Sequence, residues 1–564
     1  MMPKIFYSFL IFFFYKILIG QTVEIRHPLD IPLYLSGTFG ELRSNHFHSG
    51  IDIKTQGKEG FPVFAVDDGY VYRIKISHKG YGKALYVKHP STGLISVYAH
   101  LKHFNEEIEH YIKQKQYKKQ SFEIEVFPYR IELPVKKGDI LAYSGNTGGS
   151  SGPHLHFEIR NMLEHPLNPF VYGIKIEDHT RPRLKNIFAY PLNADAQINQ
   201  SEKRIKLNLK KINDSMFIAD TIFASGKIGF GVEAYDTQDN NYNKNGLYRV
   251  KVKLNGLTVY EHIMQEFSFA KSHYINTFID YPYYYKYRKY IQKLWVEPYN
   301  LLEIYTQLVN EGILEIKNGK NYQAVIELSD FHSNIVKIII PIIGKEALPV
   351  VKKTSFDTSY KVKAGKETVF KKDDWTLIFR KNSAYFNFNI DLTTDNKYIK
   401  ITIDNGIPIR QSFLIKYPLK NIKKELRKYV YLARWVSKKK KYYTYSVKKN
   451  DTLIGYTKRF GTYVLAYDSL PPVVKPVNFK SNANLKDYQY LKFIIYDRQT
   501  GIKSYKAFID NQWVLMEYEP KKNLLVYNFS DFEKINTNKK KHHLKLVVTD
   551  RLGNEKIYQT FFYR

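Results

Sequence analysis

The chain has no cysteine at all. Disulfides, thiolate metal sites, thiol nucleophiles and a lipid carried on an N-terminal cysteine are therefore excluded. The HExxH signature, in which a helix supplies two zinc histidines and a catalytic glutamate, is also missing. Acidic residues are scarce: 54 Asp and Glu stand against 87 Lys and Arg, a net charge of +33. That excess invites a nucleic-acid reading. No nucleic-acid motif accompanies it and the charge is spread through every segment, so no nucleic acid is expected as a partner; an anionic envelope is the surface it suits. Long apolar runs are confined to the N-terminus. Residues 5–19 are mostly aromatic and aliphatic, follow Lys4, and give way to Gly20 and Gln21. The run is short for a span and Lys16 interrupts it, so residues 1–20 read as a cleaved signal peptide. The mature chain is then expected to have no transmembrane span, to be secreted across the inner membrane, and to reside in the periplasm or cell envelope.

What is present centres on residues 144–160, SGNTGGSSGPHLHFEIR. A turn-rich run of Gly, Ser, Asn and Pro gives way to strict alternation, with Leu155, Phe157 and Ile159 on one side and His154, His156, Glu158 and Arg160 on the other. Period two is the pattern of a half-buried strand. Two histidines on one strand face suit a metal site with a catalytic neighbour, although two solvated strand histidines would give the same pattern. Upstream, HSGID at 48–52 places His48, Gly50 and Asp52 on one face of an extended segment, with a glycine leaving room between two potential ligands. Two histidines and one carboxylate with an open fourth position describe a catalytic zinc. In SVYAHL at 96–101, alternation sets Ser96, Tyr98 and His100 opposite Ile95, Val97, Ala99 and Leu101, so His100 is expected on the same polar surface.

Together, HxGxD at 48–52, YAHL at 98–101 and the 144–160 run resemble the lysostaphin and LytM type of zinc metallopeptidase, which cuts peptide cross-links in bacterial cell walls. The resemblance runs from about residue 33 to 170 and includes a GxPVxA…GxV pattern at 60–71. It implies one Zn2+ per chain held by His48, Asp52 and His156. His100 and His154 match the family's catalytic histidines. Metal-bound water would be the nucleophile, with the roles of the two histidines left open, and peptidoglycan peptides would be the substrate. The alternative is a catalytically silent envelope scaffold that activates another cell-wall hydrolase. Such scaffolds have typically lost a metal ligand; all five positions are present here. His46 reads as a substrate contact or a surface residue; His78, His89, His103 and His110 read as incidental.

The expected fold is all-β dominated: a LytM-like antiparallel β catalytic domain at 21–182, with a helical insertion at about 104–120, followed by β-sandwich, immunoglobulin-like modules. Only a short stretch separates Gln21 from the first strand, so no propeptide is expected. A repeat supports the modules: residues 246–256 align with 501–511, each preceded by a Tyr-Asp pair and followed by a D-x-x-x-N turn at 330–334 and 550–554. This divides the remainder into sandwiches at 183–345 and 471–564 with a β-rich segment at 346–470. An envelope protein partner is expected, if anywhere, on these C-terminal modules. The D-x-x-x-N positions can suggest calcium, but turn chemistry explains them more simply. The tyrosine-rich run 281–290 suits either glycan stacking or a cover over its own sandwich.

Overall fold

The computed structural model describes residues 24–348, 360–395, 397–403, 406–535 and 539–564. The expected signal at 1–20 and the 349–359 part of the third segment lie outside them. Among the described residues, no helix is long and apolar enough to cross a membrane.

The first domain is built on an antiparallel sheet. Its strand order runs Leu35–Gly37, Ile51–Lys54, His154–Arg160, Leu94–Leu101, Lys83–His89, Gly69–Ile76, Ile124–Val126. The HLH strand is thus central, flanked by the strand that carries Asp52 and the one that carries His100. Its apolar side, Leu155, Phe157 and Ile159, is fully buried in the main core with Ile51, Ile53 and Leu85, as the alternation requires. Gly50 is required for a reason other than room at the metal: a Cβ there would stand 2.1 Å from the Phe157 carbonyl oxygen. Gly50→Ala is expected to destabilise the domain by about 3 kcal/mol, the upper end for an overpacked core, read as a lowered denaturation midpoint.

Helix Glu106–Lys119 starts where Asn105 accepts the Ile108 N–H and ends at Gln120 in a left-handed cap. Ile108 and Ile112 anchor it to the core.

The rest of the chain is three further β units, each with its own core. In the first, the long strand Ile222–Tyr235 pairs parallel with Ile335–Gly344 at its start and antiparallel with Arg183–Pro191 over the rest. The two layers are therefore joined by one strand. The segment after it contains a six-stranded and a five-stranded sheet, and the last unit a four-stranded and a five-stranded sheet.

These units dock on the first domain. Phe39 and Phe47 share a buried cluster with Met264, Phe267, Phe278 and Tyr385, and Tyr281, Tyr284 and Tyr290 pack against it. Tyr281, Tyr284 and Tyr290 of the run thus help seal a junction between units, while Tyr283 packs against Phe188 of its own sandwich and Tyr285 and Tyr287 are exposed. From the other side, Lys83 pairs with Glu517 at 3.0 Å, Lys113 with Asp531 at 3.1 Å, and Trp513 meets Tyr117 edge-on. Lys521 reaches the carbonyls of Asn146 and Ser150 in the glycine loop. His78, which read as incidental, packs against Tyr518 in this interface.

Candidate active site

Strand register brings the first two site residues together. His156 lies directly opposite Asp52 on one neighbour and Ala99 on the other, and directly opposed side chains on one face stand about 5 Å apart at Cβ. His48 enters from the turn before the Asp52 strand. Its Nε2 is 3.0 Å from Asp52 Oδ1 and 3.1 Å from His156 Nδ1, and His156 Nδ1 is 2.8 Å from Asp52 Oδ1. All three residues are buried.

The outer hydrogen bonds fix which atoms converge. His48 Nδ1 donates to the Thr38 carbonyl at 2.8 Å, leaving Nε2 as a lone pair. His156 Nε2 donates to Glu158 at 2.8 Å, leaving Nδ1 as a lone pair. Asp52 Oδ2 accepts from Arg43 at 3.0 Å, which leaves Oδ1 to face the histidines. Three acceptors pointed at one another repel unless a cation lies among them, so this donor set fits a metal ion. Burial works against a charged His156, yet Asp52 and Glu158 outweigh it and lift the imidazole to about 9, so a metal ion would bind in place of a proton on Nδ1. Burial likewise opposes the Asp52 carboxylate, but the surrounding histidines hold it well below the usual range.

Glu158 is fully buried and its environment is the densest in the site. Beyond His156 it accepts from Ser49 Oγ at 2.6 Å and from the Tyr81 hydroxyl, while Arg160 Nε donates to its other oxygen at 2.6 Å. Burial disfavours its charge, but Arg160 and His156 keep it ionised. Tyr81 stacks on His156 with centroids 5.2 Å apart, and Arg160 is capped by Phe269 of the second unit.

The remaining two histidines stand beside this trio. His154 Nδ1 donates to the Gly152 carbonyl at 2.9 Å, and its Nε2 lies 3.5 Å from Asp52 Oδ1. His100 Nδ1 donates to the Thr147 carbonyl at 2.8 Å, with its ring 4.8 Å from that of His154. Burial, and then the charges of His156 and His154, push His100 down to about 3.

His100 arrives by a different route from the one alternation implies. Tyr98 and Ser96 lie opposite Phe157 and Ile159, and Tyr98 is buried in the main core. The Ser96 and Tyr98 face is therefore the core face, and a regular strand would send His100 inward with them. A left-handed backbone at His100, φ 59°, turns it towards the other histidines instead. A non-glycine residue held there stores strain of the kind that marks functional sites.

The site opens on a groove of about 1160 Å³. The glycine loop (Gly149, Ser150, Gly152) forms one wall and Arg43 and His46 another, while Asn243, Phe269 and His273 of the second unit also line it. His46 is exposed there, and His89 is buried away from the site against Ser96. His103 and His110 do not join the site.

Residues 46–117 and 128–169 match peptidase family M23. The chain carries an M23 peptidase domain. The DD-carboxypeptidase/endopeptidase Mpg of Neisseria meningitidis serogroup B is 30% identical over 155 residues, 28% of this chain and 29% of that protein. An uncharacterized metalloprotease of Haemophilus influenzae is 30% identical over 139 residues, 24% of each chain. The similarity to the Neisseria relative thus spans less than a third of that protein's length. Among solved structures, the catalytic domain of the prophage-encoded M23 protein EnpA from Enterococcus faecalis is 24% identical, covering 25% of this chain and 93% of that one with a TM-score of 0.19. The catalytic domain of lysostaphin from Staphylococcus simulans is 22% identical over 25% of this chain and 93% of that one, with a TM-score of 0.19. M23 peptidases are zinc-dependent, and the His48, Asp52 and His156 cluster of this M23 domain is a candidate metal site.

Sequence reasoning did not assign roles to Thr38, Arg43, Tyr81, Thr147 or Glu158. Glu158 carried a signal, its place two residues after His156 on the same strand face. The others come from separate turns and strands and carried none.

Proposed function

We propose that the protein is a secreted zinc endopeptidase that hydrolyses peptide bonds in peptidoglycan stems or cross-links, working in the periplasm or cell envelope. The observation that carries this reading is the convergence of His48 Nε2, Asp52 Oδ1 and His156 Nδ1 beside two further histidines on an open groove. The names of the M23 relatives support the substrate class.

A zinc ion held by these three atoms would polarise a peptide carbonyl and acidify water at neutral pH. The chain's own residues would do the rest. His154, anchored through Nδ1 on Gly152, presents the bare Nε2 closest to Asp52 and is the better placed base. His100, anchored on Thr147, presents its Nε2 from the other side and would steady charge developing on the scissile carbonyl. Glu158 fixes the His156 tautomer, Thr38 that of His48, and Arg43 keeps Asp52 turned with one oxygen inward. A groove of about 1160 Å³ lined by the glycine loop would let a peptide substrate approach that backbone. A silent scaffold would need none of these lone pairs aligned.

The test is metal content and cell-wall digestion of the mature full-length protein. One zinc per chain with release of un-cross-linked fragments from purified peptidoglycan is expected, and chelation should abolish the release. Absence of zinc, or a bound zinc with intact peptidoglycan in every assay, overturns the endopeptidase reading.

A further inference from the structure

The two D-x-x-x-N turns are built alike. In each, the Asn backbone N–H donates to the Asp Oδ1 at 2.8 Å and the Asn amide to Oδ2 at 2.7 Å. Each Asn amide also donates, at 3.0 Å, to the backbone carbonyl of an Asp on the incoming linker, Asp178 in one case and Asp468 in the other. With the Asp of each Tyr-Asp pair, Asp236 and Asp497, this gives two corresponding trios of carboxylates: Asp178, Asp236 and Asp330; Asp468, Asp497 and Asp550.

The copies differ in how the carboxylates are satisfied. In the second, Asp468 accepts from Gln499 and Thr500, each at 3.2 Å, and Asp497 Oδ1 accepts the backbone N–H groups of Gln499, Thr500 and Gly501. Ligand atoms of Asp468, Asp497 and Asp550 also lie within 4.8 Å of one another, but turn and side-chain donors already reach all three. In the first, Asp236 Oδ1 has no hydrogen-bond partner among the described residues, nor does the side-chain oxygen Oδ1 of Asn245. Both residues are more than nine-tenths buried, with exposures of 5% and 4%. They line a small cavity of about 20 Å³ together with Asp178, Asp330 and His332. That volume holds a single ion or water. Ligand atoms of Asp178, Asp330 and His332 lie within 4.8 Å of one another. No Lys or Arg lines the cavity, in a chain with 87 of them.

We propose that this cavity is a second metal site, for a hard divalent cation of the calcium or manganese type, held by the carboxylates of Asp178, Asp236 and Asp330 and the amide oxygen of Asn245, with His332 at its rim. Oxygen donors of this kind suit Ca2+ and Mn2+ rather than zinc. Burial, then Asp330 and Asp178, push Asp236 up to about 9. Burial and the neighbouring acids likewise raise Asp178 to about 7. The cavity is also lined by Thr38, Phe39 and Asn168 of the M23 domain, so its ion would pin that domain to the second unit. Asn245 adjoins Gly246, whose N–H donates to Thr38 Oγ1 at 3.0 Å, and the Thr38 carbonyl holds His48. The second site therefore sits one residue from the support of the first.

The experiment uses the full mature chain, zinc-loaded, titrated with Tb3+ and read by tyrosine-sensitised emission, since Tyr248 lines the cavity. Ca2+ and Mn2+ are then tested separately as competitors. One saturable terbium site displaced by Ca2+ or Mn2+ is expected, lost at least tenfold in affinity in Asp236→Asn and unchanged in Asp497→Asn. Thermal denaturation with and without Ca2+ or Mn2+ provides a second reading: the cation should raise the midpoint of the wild type and of Asp497→Asn, but not of a folded Asp236→Asn. If neither probe nor competitor binds, or if Asp236→Asn binds as the wild type does, the proposal is overturned.

Discussion

His154→Ala is expected to keep one zinc per chain yet lower peptidoglycan fragment release by about 10²–10⁴, the range for loss of a positioned general base. The His154 ring is not among the three converging donors: its Nδ1 is tied to Gly152 and its Nε2 stands off Asp52 Oδ1 at 3.5 Å. His156→Ala should behave differently. It removes a donor atom that lies within 3.1 Å of both other candidate ligands, so zinc and activity should disappear together. Metal analysis beside the digestion assay separates the two variants. A His154→Ala protein that has lost its zinc would make that residue a ligand and sink the assignment.

The second large effect is expected at Glu158, a carboxylate with no solvent exposure. Glu158→Gln leaves Arg160, itself only 3% exposed, with Glu164 at 3.2 Å as its remaining carboxylate, so the loss is expected at about 3 kcal/mol, the low end for breaking a buried pair. It also weakens the acceptor that fixes the His156 tautomer, so zinc affinity should fall about 10–100-fold. The two effects have different partners and can be separated. Adding Arg160→Met to Glu158→Gln should recover much of the stability, measured by denaturant unfolding, but none of the zinc affinity, measured by chelator competition. Recovery of both would mean that Glu158 acts only through Arg160.

Much of this site was legible because strand chemistry is periodic. Alternation in 154–160 put His154, His156 and Glu158 on one face, and the structure keeps them there. The helix at Glu106–Lys119 was legible from a polar, glycine-free run. His100 was reached by a faulty step: the face shared with Ser96 and Tyr98 is the core face, and only the left-handed backbone at His100 returns it to the site. No periodicity encodes such a break. Gly50 was visible as special, but its reason, the carbonyl of Phe157, lies 107 residues away in sequence and comes only with the register. The tyrosine run was legible only in part: Tyr283 does cover Phe188 of its own sandwich, but the cluster beneath its neighbours also holds Phe39, Phe47 and Tyr385 of other units. The D-x-x-x-N turns were read correctly as turns. Local spacing could not distinguish the copy whose carboxylates are satisfied from the one whose oxygens are left bare.

The grip of Lys521 on the glycine loop carries a consequence for the order in which the protein becomes competent. Lys521 and Ser150 are 371 positions apart, and Lys83 and Glu517 are 434 apart. Closing such spans is thermodynamically mild, about 0.6 kcal/mol for each doubling of length, but contacts between distant segments form late. The zinc donors and the groups that orient them, Thr38, Arg43 and Glu158, lie within residues 38–158 and can assemble early. The loop wall beside them gains its lysine clamp only after the final unit has folded and docked. A chain without the Lys521 unit would therefore hold a complete metal-binding trio beside an unsecured loop.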